Sequence, residues 1–75
     1  MQIRAVFAEN LRRARRAIGL SQEELAYRAE IDRTYISALE RGVYSATIDI
    51  VDRLAVSLGV EAADLLARPG KTKAI

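Results

Sequence analysis

The sequence predicts an all-α domain of five short helices, and three observations carry that prediction. Apolar residues recur at intervals of three and four through residues 3 to 67, the spacing of one helix face. Helix-starting residues stand at Ser21, Asp32 and Thr47, and helix-stopping glycines at Gly19 and Gly59. Residues 21 to 42, SQEELAYRAEIDRTYISALERG, hold two helix starts with almost nothing between them.

Helix 1 is expected over 3–18, where Ile3, Phe7, Leu11, Ala14 and Ile18 form an apolar stripe, and Gly19 ends it with Leu20 folding back onto the last turn. Helix 2 is expected over 22–29, because Ser21 and Glu24 have the spacing of a capping box. Asp32 caps helix 3, about 33–41, whose inward face is Ile36 and Leu39. Thr47 caps helix 4, 48–58, with Ile48, Val51, Leu54, Ala55 and Leu58 as its buried stripe. A short helix 5, 61–67, is closed by Pro69 and Gly70. One domain, 1–68, is thus followed by a flexible tail, 69–75, whose Lys71 and Lys73 would add weak nonspecific contact.

Helices 2 and 3 form the layout of a helix-turn-helix, in which the second helix can lie in a DNA major groove. Ala26 sits where close approach leaves no room for a larger side chain, and Leu25, Ala29, Ile31, Ile36 and Leu39 fill the angle.

Composition removes several other functions. With no cysteine and no histidine, disulfides and the usual zinc ligands are excluded. No Gly-rich phosphate loop or catalytic constellation stands out, so no enzyme, cofactor or small-molecule ligand is predicted. No apolar run approaches the roughly 18 residues of a membrane span, and charges interrupt any secretory signal, so a cytoplasmic protein is expected. A net charge of +2 and a pI near 9.4 favour contact by a few arginines over a broad basic face. Arg12, Arg13 and Arg16 point in several directions around helix 1 and read as a solvated face.

The surface left by packing points to double-stranded DNA. Arg33, Thr34, Ser37 and Ala38 lie away from the inward face of helix 3, with Arg33 and Thr34 at the end that meets base edges first. Arginine can grip guanine O6 and N7, and threonine offers its methyl to thymine or its hydroxyl to either base type. A cation in a first helical turn opposes the helix dipole, so helix stability does not explain Arg33. Backbone contacts are expected from Gln22 at the start of helix 2, from Arg41, and from Tyr44 and Ser45 in the following loop. Tyr35 can turn its hydroxyl to a phosphate or simply pack, and Tyr27 is similarly ambiguous. Leu65 and Leu66 diverge by about 100° on a helix. One of them, with Val60 or Ile50, is therefore a candidate for a homodimer interface.

The stretch LAYRAEIDRTYISALERG resembles the phage repressor and Cro-like (Xre-type) helix-turn-helix family, and within it the controller proteins of restriction–modification systems. The resemblance implies a five-helix lambda-repressor-like DNA-binding domain, bacterial or phage-derived, acting as a homodimeric transcriptional regulator on a near-palindromic operator. It also implies autoregulation, allows RNA polymerase as a further partner, and pairs Arg15 with Glu40 beside helix 3. Two departures stand out. Glu30 occupies a junction where the family usually has glycine, and Tyr44 and Ser45 replace an arginine and asparagine. A prophage-type repressor, a DNA-binding antitoxin and a protein-interaction module are the alternatives.

Overall fold

A computed structural model describes residues 2–69. Five helices follow in order, α1 (Ile3–Ala17), α2 (Gln22–Ala29), α3 (Arg33–Glu40), α4 (Ile48–Leu58) and α5 (Ala62–Leu66), with no strand among the described residues. Helices α1, α3 and α5 each end one residue inside their expected ranges, and α5 also starts one residue later. Of the expected tail, residues 70–75 with Lys71 and Lys73 lie outside the described residues.

Side-chain caps set three of the helix starts. Ser21 Oγ accepts from the Glu24 N–H at 3.0 Å, while Glu24 accepts from the Ser21 N–H at 2.8 Å. The Ser21 N–H, and after it the Ser21 hydroxyl, hold the Glu24 carboxyl below its ordinary range. Asp32 Oδ1 accepts from the Thr34 N–H at 3.1 Å, and Thr47 Oγ1 from the Ile50 N–H at 3.1 Å. Each cap satisfies a backbone donor that a helix start leaves unpaired.

The five helices close around Phe7, Leu11, Leu25, Ile36, Leu39, Leu54 and Leu65. Helix α1 packs on α3 and α5, and α2 packs on α3 and α4. No helix among the described residues is long and apolar enough to cross a membrane.

Three stripe positions lie outside this core. Ile3 and Ile18 at the two ends of the α1 stripe are about half exposed, and Ile48 at the start of α4 is 86% exposed. Periodicity identifies a helix face, whereas burial also needs a neighbour packed closely opposite, and these three positions stay open to solvent. Between them α1 buries Val6, Ala8 and Asn10, which the stripe omitted.

The junction of α2 and α3 is strained at one residue. Glu30 adopts φ 57°, ψ 47°, the left-handed region, so that the Ile31 N–H can close onto the Ala26 carbonyl at 3.0 Å. A left-handed conformation costs a side-chain-bearing residue roughly 1–2 kcal/mol, and glycine's extra unfolded-state freedom costs about 0.5–1 kcal/mol in the other direction. Glu30→Gly is therefore expected to stabilise the domain by about 0.5–1 kcal/mol. Thermal melts check this: a rise of a few degrees is expected, and an unchanged or lower Tm would show that the junction carries no such strain.

Candidate nucleic-acid interface

The outer surface of α3 begins at its capped end. Asp32 spends its carboxylate on the Thr34 N–H, so the helix start is fixed before any ligand arrives. Arg33 and Thr34 stand exposed in the first turn, and Ser37, one turn on from Arg33, is half-buried. Among the described residues Arg33 has no hydrogen-bond or ion-pair partner, which leaves its guanidinium available.

Ala38 corrects the expected base-contact set. It is only 4% exposed. It lies one turn before Gly42, where an added Cβ would stand 3.9 Å from Ala8 Cβ and 4.0 Å from the Arg4 carbonyl oxygen. Helix α1 covers this side of α3, a second buried face that Ile36 and Leu39 alone did not reveal. The outward surface is therefore Arg33, Thr34 and Ser37.

Behind that surface lies a buried ion pair. Arg15 donates from Nε to Glu40 Oε2 at 2.6 Å, from Nη2 to Glu40 Oε1 at 2.9 Å, and from Nη1 to the Leu20 carbonyl at 2.8 Å. Two parallel bonds make the pair bidentate, the geometry that best fixes orientation. Arg15 and Glu40 are 8% and 4% exposed, so the end of α3 is bolted to α1 from inside. Burial pushes the Glu40 carboxyl up, yet hydrogen bonds from Arg15 and Gln22 and the nearby charges of Arg15 and Arg12 outweigh it and hold the group below its ordinary value. The hydrogen bond to Glu40 raises the Arg15 guanidinium further against its own burial.

Gln22 belongs to the same network. Its Nε2 donates to Glu40 Oε1 at 3.0 Å, which aligns a half-buried residue at the first position of α2 with the end of α3. The amide keeps a second N–H and its carbonyl for an outside partner. Arg41 is exposed and bonds through Nε to the Ser37 carbonyl at 3.3 Å, leaving its terminal nitrogens available.

Tyr35 takes the packing role. Its hydroxyl donates to the Ser45 carbonyl at 3.4 Å, and its ring lies 6.2 Å from that of Tyr44 at 46°. At that length the bond is weak, and the hydroxyl can exchange it for a phosphate. Tyr44 and Ser45 remain exposed beside α3, and Tyr27 stands 86% exposed on α2.

Of the expected interface residues near the end of the chain, Leu65 is overturned. At 1% exposed it is a core residue, whereas Leu66 is 40% exposed, as their divergence on a helix requires. Ile50 and Val60 are partly buried against the core. Leu66 shares a small apolar groove with Ile3, Phe7 and Val51.

Sequence reasoning missed Asn10 and Arg4, and it read Arg12 as solvated where the side chain is half-buried. Asn10 is buried and donates from Nδ2 to the carbonyls of Leu65 and Ala67 at 3.0 and 2.9 Å. A poor helix former in the middle of a helix was the available signal. Arg12 Nη1 donates to the Glu40 carbonyl at 2.8 Å, and Arg4 Nη1 to the Val43 carbonyl at 3.4 Å.

A family profile described as helix-turn-helix matches residues 11–65. A hypothetical transcription factor of Neisseria meningitidis serogroup B is 45% identical over 67 residues, which are 89% of this chain and 63% of that relative. The chain thus spans under two thirds of the Neisseria protein's length. Control protein C.BamHI of Bacillus amyloliquefaciens is 38% identical over 65 residues, 85% of this chain and 80% of its own. Among solved structures, the restriction–modification controller protein C.Esp1396I, a tetramer in complex with its natural 35 base-pair operator, superposes with a TM-score of 0.80 at 29% identity. That match covers 87% of this chain and 86% of the controller.

Proposed function

Because the chain belongs to the Xre-type helix-turn-helix family, with restriction–modification controllers among its relatives, we propose that it is a sequence-specific DNA-binding transcriptional regulator. The observation that carries this reading is the exposed, unpartnered Arg33 beside Thr34 at the capped start of α3. That helix is held in place by the buried Arg15–Glu40 pair. Phosphate contacts from Gln22, Arg41, Tyr44 and Ser45 would set its register, and Arg33, Thr34 and Ser37 would choose the sequence.

The regulator acts as a homodimer. Two recognition helices related by a two-fold axis enter successive major grooves about 34 Å apart and read a near-palindrome. The half-exposed Leu66, with Ile50 and Val60, supplies the apolar contact between copies. Leu66→Glu is expected to raise the dimer dissociation constant at least about tenfold while leaving the helical circular-dichroism signal in place. Sedimentation equilibrium reads this directly, and an unchanged monomer–dimer balance would remove Leu66 from the interface.

As a controller, the protein acts in the cytoplasm on its own promoter and on that of a linked restriction gene. Occupancy sets the sign of control, and RNA polymerase is its second partner. The tetrameric complex of C.Esp1396I with its natural operator supports operator binding by several copies together. Fluorescence anisotropy on DNA from directly upstream of the gene and on a scrambled duplex tests the reading. Preference for the native duplex by about 1000-fold or more is expected. Equal weak binding to the native duplex, the scrambled duplex and the best duplexes from random-sequence selection would overturn sequence-specific regulation and favour a protein partner.

A further inference from the structure

The end of α3 opposite Arg33 carries a second feature, of which the regulator reading uses Arg41 alone. Three arginines converge on residues 37–43: Arg12 Nη1 on the Glu40 carbonyl at 2.8 Å, Arg41 Nε on the Ser37 carbonyl at 3.3 Å, and Arg4 Nη1 on the Val43 carbonyl at 3.4 Å. With Gln2, Glu9 and Gly42 they line one open groove between α1 and the end of α3.

Capping accounts for only part of this charge. The carbonyl end of a helix attracts a cation, but each of these guanidiniums has five N–H donors and spends one here. The carboxylates at hand, Glu40 and Glu9, offset them only in part. Glu40 is enclosed in its pair with Arg15, and Glu9 lies 3.4 Å from Arg13. The groove therefore presents oriented donors and a net positive charge to whatever lies past the end of α3.

We propose that Arg4 and Arg12, on the first helix, form with Arg41 a second DNA-phosphate site that grips the backbone beyond the C-terminal end of the recognition helix. The inference rests on the regulator reading. DNA is favoured over an acidic protein by two features. The arginines are anchored on the main chain that continues directly from α3, so their positions are fixed relative to the helix that enters the groove. The groove also holds no exposed aromatic or large aliphatic anchor of the kind that dominates protein interfaces. Guanidiniums held at fixed positions suit the bidentate recognition of phosphate. They also screen the partial negative charge of the α3 carbonyl end, which would otherwise repel the strand.

The salt dependence of binding tests this, because each neutralised phosphate contributes about 0.9 to the slope of log affinity against log salt on duplex DNA. Arg4→Gln and Arg12→Gln, singly and together, are compared with wild type on the selected operator and on a scrambled duplex. Each substitution is expected to flatten the slope by about 0.9 on both duplexes and leave their affinity ratio unchanged, while lysine at the same position keeps the slope. A folded double variant with the wild-type slope would overturn the site and assign the arginines to capping, or to a protein partner. Should Arg12→Gln fail to fold, Arg4→Gln alone decides, since Arg4 is exposed. The two readings separate cleanly. Loss of operator preference in wild type defeats the regulator, whereas an unflattened slope with preference intact defeats only this site.

Discussion

Arg15→Ala is expected to cost the domain about 3–5 kcal/mol, the range for removing one partner of a buried ion pair. The substitution leaves Glu40 buried at 4% exposure without its bidentate partner, and leaves the Leu20 carbonyl without its donor. A domain of this size has on the order of 4–11 kcal/mol in total, so much of its stability is at stake. Urea melts measure the loss, and a cost below about 1 kcal/mol would reduce the pair to the standing of a surface contact. Replacing both partners by methionine is expected to recover part of the loss, because the uncompensated charge disappears. Recovery stays incomplete since Gln22 also loses its acceptor.

The same pair sets an acid limit. The Glu40 carboxyl is held below its ordinary value near 4.5, so in the unfolded chain it takes up a proton at higher pH than in the folded one. Its stabilising contribution is therefore fully present above that ordinary value and is lost as pH falls through the lowered folded value. Stability at pH 7 and pH 6 should agree as far as Glu40 is concerned, with the decline setting in below about pH 5. In Glu40→Gln this portion of the decline should vanish, and an identical acid profile would show that other carboxylates control it.

Arg33→Ala is expected to weaken operator binding by about 1–3 kcal/mol, roughly 5- to 150-fold, and to relax discrimination at one position of each half-site. Folding should be untouched or slightly improved, because the residue is exposed and its charge opposes the dipole at the start of α3. The pattern across DNA substitutions is the diagnostic part. Loss of preference for a single base pair marks a base-reading residue, while an even loss across all sequences would place Arg33 on the phosphate backbone instead.

The helix starts were legible because their causes are local. Ser21 with Glu24, Asp32 and Thr47 each act within three residues, and all cap as expected. The unusual junction was legible through the family resemblance, which puts glycine where Glu30 stands in the left-handed conformation. Errors arose where the outcome depends on a neighbour distant in sequence. Ile48 follows the α4 stripe yet meets no opposing helix, and Ala38 lies off the inward face of α3 yet is covered by α1. Arg15 and Glu40 were identified through family resemblance, and spacing alone would not have joined residues 25 apart. Asn10 escaped notice because its partners are main-chain carbonyls, which carry no residue identity to match.

The Asn10 clamp joins positions 55 and 57 residues apart. Closing so long a loop carries an entropic cost that neighbouring turns do not face, and α5, with five residues, is too short to form without its docking site. The helices that carry Arg33 and its brace are thus expected to outlast α5 in local opening. Native-state hydrogen exchange should record that order as weaker protection in α5 than in α3. The exposed start of α3, with Arg33, would then remain intact through the opening events that uncover Leu65.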